Sequence, residues 1–199
     1  MSKKEECFYE AGRAVMLWLF GKSWDIVKID MSAKSGSRII IRDCLYGTAH
    51  MISQTKVDDR ETEQYITGQA KIAVMYFLSE LAAKGRTDGA EDWLESEMDA
   101  CEWGTDSKHD IFRAVAVVKS LYGDSKKADQ SLFRWARWCD EALSDFRVWG
   151  CIEVLAEHLG KMKSPITGPR IRHLLHNVWP VAGLPIRAMG RKWRERFDV

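Results

Sequence analysis

Strand-forming patterns crowd into one short stretch of this chain, and helical patterns take most of the rest. Residues 24–31 (Trp-Asp-Ile-Val-Lys-Ile-Asp-Met) and 37–43 (Ser-Arg-Ile-Ile-Ile-Arg-Asp) alternate or run through β-branched side chains, and Ser32 to Gly36 between them reads as a turn. Before them, Glu5 to Phe20 sets Phe8, Ala11, Val15 and Leu19 on one apolar stripe at helical spacing, with Ala14 and Trp18 beside it. Gly21 closes that helix as a C-cap. A fold with so little strand and so much helix around it is expected to be α+β, mostly α: an opening helix, a small sheet of two or three strands, then a helical bundle.

The later elements follow from the same spacing. Residues 49–52 allow a third short strand, although 44–60 is ambiguous. A long helix is expected from Glu61 to Lys84, stopped by Gly85, followed by a short acidic helix from Gly89 to Cys101. Thr105 or Asp106 caps the next, which ends at Tyr122 before Gly123. Lys127 to Lys163 is nearly unbroken helical pattern, bent or split near Gly150. A short helix spans 168–179, and Pro180, Gly183 and Pro185 then interrupt the chain. The last segment places Ile186, Met189, Trp193 and Phe197 on one face of a basic amphipathic helix. At 199 residues the chain is long enough for one domain with a real core, here assigned to 1–179, with 180–199 as a basic C-terminal segment.

The formal net charge is +1, so no global field directs the chain to nucleic acid or to a membrane. The charge is uneven, however: Lys161 to Val199 holds nine Lys or Arg against two Asp or Glu, which suits an acidic partner or the acidic remainder of the same chain. Five cysteines (Cys7, Cys44, Cys101, Cys139, Cys151) are scattered without a C-x-x-C pair. Reduced, buried thiols are expected of them. The opening Met1-Ser-Lys-Lys-Glu-Glu is unlike a secretory signal, and the longest apolar run, Ala14 to Phe20, is too short to span a bilayer; a cytoplasmic location is expected.

The opening helix carries the most specific chemistry. Tyr9-Glu10-Ala11-Gly12-Arg13-Ala14-Val15 has the layout of a zincin helix, in which two histidines one turn apart bind zinc and a glutamate between them activates water. Glu10 stands at the base position, while Tyr9 and Arg13 occupy the ligand positions. A guanidinium has no lone pair to offer and brings positive charge to the place of a dication.

This chain resembles the FtsH-type zinc metallopeptidase domain and its stand-alone relatives. The opening helix of that family reads approximately His-Glu-Ala-Gly-His-Ala-Val; Glu10-Ala11-Gly12, Ala14-Val15 and Gly21 match it here. Val74 to Glu80 falls at a later Ala-Gly-x-x-Ala-Glu signature and matches only at Glu80. Gly104 to Ile111 is similar to the segment in which an aspartate opening a helix supplies the third zinc ligand, which places Asp110 there, and Ala114, Tyr122 and Gly123 continue the pattern. Trp149, Ile152, Leu155, Ala156 and Leu159, then Gly168 and Ile171, resemble the closing helices. The resemblance covers residues 5–178. It implies a zincin-like fold in which Tyr9, Arg13 and Asp110 gather at a degenerate zinc site. Arg13 would then replace the cation, pairing with Asp110 or Glu10, with a phenol hydrogen bond from Tyr9.

Other residues offer less. His173 and His176 stand three apart on one helix face but lack a companion acid nearby, and His109 and Asp110 are neighbours that point about 100° apart on a helix. Cys7 has no histidine near it in sequence. No phosphate-loop or dinucleotide glycine pattern occurs, so the ATPase module that accompanies FtsH peptidases has no counterpart here. Arg134-Trp-Ala-Arg-Trp138 and the tail residues Arg191, Lys192, Trp193, Arg194 and Arg196 interleave cations with aromatics, a composition that serves nucleic acid, an acidic surface or internal packing. The first segment is expected to pack its tryptophans inward; the tail is a candidate docking arm. The expected function is a catalytically silent, metal-free binding module for a protein or peptide. The alternatives are a zinc-dependent hydrolase with unusual ligands and Glu10 as general base, and an interaction protein working through its basic tail, where nucleic acid or an acidic surface would bind.

Overall fold

The computed structural model describes residues 2–33, 38–42, 47–89, 93, 110–178 and 186–197. Its elements run α1 (Lys3–Leu19), a single 3-10 turn (Ser23–Asp25), β1 (Ile26–Ile29), β2 (Ile39–Ile41), α2 (Thr48–Gln54), α3 (Arg60–Asp88), α4 (Asp110–Tyr122), α5 (Lys126–Ser144), α6 (Phe146–Lys161), β3 (Ile166–Thr167), α7 (Gly168–Val178) and α8 (Ile186–Phe197). The fold is α+β and mostly α, with a small antiparallel sheet and many helices. The helix expected over 89–101 and the cap at Thr105 or Asp106 lie outside the described residues, apart from Gly89 and Trp93. By compactness the chain divides in two: 1–43 with 141–197, and 44–140.

In the first unit, α1 begins at a capping box. The Ser2 hydroxyl accepts from the Glu5 amide, while the Glu5 carboxylate accepts from the Ser2 amide at 2.8 Å. The helix is buried on every side from Tyr9 to Leu17, its polar positions included. It packs along α6, where Phe8 stacks on Trp149 with ring centroids 5.8 Å apart. The sheet order is β2-β1-β3, all antiparallel. The pairing register shifts between Ile26 and Lys28, so Val27 and Lys28 both lie opposite Ile40. That bulge sends Ile26, Ile29, Ile39 and Ile166 into the core and leaves Val27 and Ile40 outward. Gly168 joins β3 to α7 against β1: a Cβ there would sit 1.8 Å from the Ile26 carbonyl oxygen, so only glycine permits the approach.

The third strand is therefore β3, not residues 49–52, which belong to α2. The buried positions of α2 are Thr48 and Ile52, four apart, which is a helical spacing and no strand's. Gly85 lies inside α3 rather than at its end; the cap is Gly89, at φ +71°. The 127–163 pattern breaks at Asp145, not Gly150. The Asp145 carboxylate N-caps α6, accepting from the Arg147 amide at 3.0 Å and from its guanidinium at 2.8 and 2.9 Å.

The second unit packs α2, α3, α4 and α5 up to Asp140. Its core is built from Ala70 to Leu78 of α3, Ile111, Ala114, Val117 and Val118 of α4, and Leu132, Trp135, Ala136 and Cys139 of α5. The Trp93 indole nitrogen donates to Asp140 at 2.7 Å.

Candidate functional site

Residues one, three and four apart on a helix fall within about 100° of one another, so Glu6, Tyr9, Glu10 and Arg13 share one side of α1. Carboxylates at i and i+4 repel, and Glu6 and Glu10 are such a pair. Two cations answer them. Arg13 Nη1 lies 3.6 Å from Glu10 Oε1, with Glu10 and Arg13 each only 6% exposed. Arg38, just ahead of β2, grips Glu6 with both terminal guanidinium nitrogens, Nη2 at 2.8 Å from Oε1. That hydrogen bond, more than any other cause, holds the Arg38 guanidinium above its ordinary value, and the Glu10 charge adds to it. Charges thus alternate from Glu6 through Arg38 to Glu10 and Arg13. Buried charges are stable only when paired in this way.

Tyr9, Glu10 and Arg13 therefore stand together in the first unit, all buried. Asp110 belongs to the second unit, where it opens α4, is buried, and accepts from Arg113 Nη1 at 2.8 Å. Sequence reasoning named Arg13 as the stand-in cation but missed Arg38 and Glu6. The available signal was the i, i+4 repetition of Glu6 and Glu10, which calls for positive charge between them.

The donor set does not fit zinc. Catalytic zinc takes about three protein ligands with lone pairs. Position 13 supplies a guanidinium that already engages Glu10. Among the described residues no three His, Cys, Asp or Glu side chains come together as a metal site. His173 and His176 are both exposed on α7, with His173 Nε2 bonded to Asn177 at 2.9 Å; His109 lies outside the described residues.

The three described thiols, Cys7, Cys139 and Cys151, are buried and equally unsuited to nucleophilic work, while Cys44 and Cys101 lie outside the described residues. Burial pushes Cys7 up, raises Cys151 to about 12, and holds Cys139 well above the ordinary thiol value. A cavity of about 440 Å³ opens between the start of α1 and the end of α6, over Cys7, Phe8, Ala156 and Gly160. Neither Glu10 nor Arg13 lines it.

The C-terminal helix is built into the first unit. Trp193 and Phe197 are buried, stacked on each other at 5.2 Å, and Phe197 meets Phe20 at 6.4 Å. Arg194 Nη1 donates to the Leu19 carbonyl at 3.2 Å, supplying positive charge to the end of α1, whose own last turn holds no basic residue. Arg196 pairs with Glu141, and Arg191 is exposed. The side chain of Lys192 lies outside the described residues. No helix among the described residues is long and apolar enough to cross a membrane. Comparison of the chain with protein-family models, with curated proteins and with solved structures finds no match in any of the three.

Proposed function

We propose that this chain is a non-catalytic relative of the FtsH-type peptidase domain, and that it works by binding a polypeptide. The observation that carries the reading is the buried Arg13–Glu10 pair on α1. A general base must accept a proton from a water held beside it by the metal. Here the carboxylate in the base position faces a guanidinium 3.6 Å away, on the residue that would have to hold the metal. What remains of a peptidase in such a site is its capacity to hold an extended chain. The sheet offers the means: β2 is an edge strand, and Trp24, Val27 and Ile40 are exposed large apolar side chains on or beside the sheet.

The test uses the full chain with a fluorescent unfolded casein substrate and elemental analysis of the purified protein. Casein is expected to bind without cleavage, Ile40→Glu to weaken binding at least fivefold, and zinc to stay far below one per chain. Stoichiometric zinc together with cleavage that Glu10→Gln abolishes would overturn the proposal, and so would casein binding that Ile40→Glu leaves unchanged.

A further inference from the structure

The Arg134-Trp-Ala-Arg-Trp138 segment divides by face when α5 forms. Trp135 is buried and Trp138 is half-buried, under the Lys71 ammonium at 5.9 Å, whereas Arg134 and Arg137 point to solvent. They are not alone there. Lys126, Lys127, Gln130, Phe133, Arg134 and Arg137 are all exposed, and their spacing puts them on one side of the helix over about 16 Å of axis. Phe133, at the middle of this stripe, is 37% exposed.

Opposite charges at i, i+4 stabilise a solvated helix face. α6 has such a pair in Glu157 and Lys161. On α5 acids follow the stripe only at its end, where half-buried Asp140 and Glu141 stand three and four residues after Arg137 and engage Trp93 and Arg196. Lys126, Arg134 and Arg137 form no ion pair among the described residues, and Lys127 lies over the Tyr122 ring at 4.2 Å. Asp129 is the one acid exposed between 126 and 137, and it pairs with none of them. Arg134 and Arg137, three apart, carry like charge on neighbouring positions of the helix. An anion laid along the ridge offsets that charge.

We infer that the exposed ridge of α5 binds the phosphate backbone of single-stranded nucleic acid, with Phe133 stacking on an unpaired base. The choice of strand state follows from Phe133: a ring on a convex ridge reaches a base face only where the base is not already stacked in a duplex. The buried opposite face of α5 keeps the ridge rigid, so the cations are ordered before the strand arrives. This surface lies in the second unit and does not depend on α1 or on the peptidase-like reading.

The experiment titrates the full chain into fluorescein-labelled dT15 and U15 and follows anisotropy. Binding of three or four phosphates predicts that affinity falls about 15- to 60-fold between 50 and 200 mM salt. Arg134→Glu with Arg137→Glu is expected to weaken binding at least tenfold and Phe133→Ala at least fivefold, each with an unchanged circular dichroism melt. A charge-matched reversal elsewhere, Lys163→Glu with Arg170→Glu, should change the affinity less than threefold. The inference is overturned by absence of binding at 100 µM protein in 50 mM salt. It is overturned equally if the α5 reversals leave binding intact. If Phe133→Ala binds as wild type while polyglutamate competes as well as dT15, the ridge takes acidic polypeptide and the nucleic-acid assignment fails.

Discussion

Removing the Arg13 guanidinium while keeping its bulk is the sharpest test of how α1 is held. Arg13→Met leaves Glu10 buried at 6% exposure, one turn from the like charge of Glu6. At 3.6 Å, the pair is worth about 4–5 kcal/mol of Coulomb attraction at an effective dielectric of 20. Breaking one partner of a buried pair costs about 3–5 kcal/mol where the survivor is left without compensation. Arg38 also feels the Glu10 charge and offsets part of this, so about 2–4 kcal/mol is expected. The double variant Glu10→Gln, Arg13→Met removes both charges, and should recover all but about 1 kcal/mol. A coupling of about 2 kcal/mol between the two sites is therefore the expected reading of the cycle. Because the chain holds two compact units, a single global midpoint is a poor probe. Native-state hydrogen exchange of the α1 amides isolates the unit concerned. Arg13→Met within 0.5 kcal/mol of wild type, or a double variant that is simply additive, would refute the claim that the guanidinium replaces a metal cation in stabilising this helix.

Gly168→Ala should cost more than about 2 kcal/mol, since its Cβ meets the Ile26 carbonyl at 1.8 Å; Gly150→Ala, with nothing within 4 Å, should instead stabilise α6 by up to about 1 kcal/mol, both read from native-state hydrogen exchange of the first unit. Arg194→Met removes the donor to Leu19 and should cost about 1 kcal/mol, visible as faster exchange in the last turn of α1; unchanged exchange there would show that α8 is held by its aromatics alone. Burial raises Cys151 from 9.0 to about 12, so the folded chain keeps a proton that the unfolded chain releases. Its contribution to stability is present below pH 9 and is lost as pH rises through the folded value; iodoacetamide at pH 9 should label Cys151 only as fast as the unit opens, and rapid labelling of the native state would contradict its burial. Restoring histidines with Tyr9→His and Arg13→His should destabilise the metal-free chain, and zinc at 100 times its Kd should return about 2.7 kcal/mol. A double variant that zinc does not stabilise would mean that the family resemblance stops short of the metal geometry.

The opening helix and the sheet were legible because their signals are local. Gly21, at φ +73°, stops α1 where its apolar spacing ends, and the Ile-rich runs pair as β1 and β2. The third strand was not legible. Ile166 and Thr167 are too few to show a period of two, and their pairing with Ile29 and Lys28 is enforced by Gly168 against Ile26, a contact between residues far apart in sequence. Caps were misplaced for a related reason. Gly85 looks like a stop, yet it is small because Trp93 packs where a Cβ would project, 2.8 Å away, whereas Gly89 supplies the left-handed turn. Of the candidate site, Tyr9, Glu10 and Arg13 could be read from one motif; Arg38 could not, since it reaches Glu6 from a position 32 residues later, just ahead of β2.

The two sets of cations in this chain obey one rule applied in opposite environments. Arg13 in the interior and Arg38 at its half-buried margin each hold a carboxylate, since a charge withdrawn from water without a partner is costly. On α5, water solvates the guanidinium groups of Arg134 and Arg137, so the fold does not require a partner for them, and none is present among the described residues. Charge at the first place is explained by stability alone. At the second the two arginines stand three apart with like charge, which adds nothing to the helix that bears them. Stability therefore accounts for the alternating row on α1, whereas the stripe on α5 has no such explanation within the chain, and the ligand proposed for it is to be sought there.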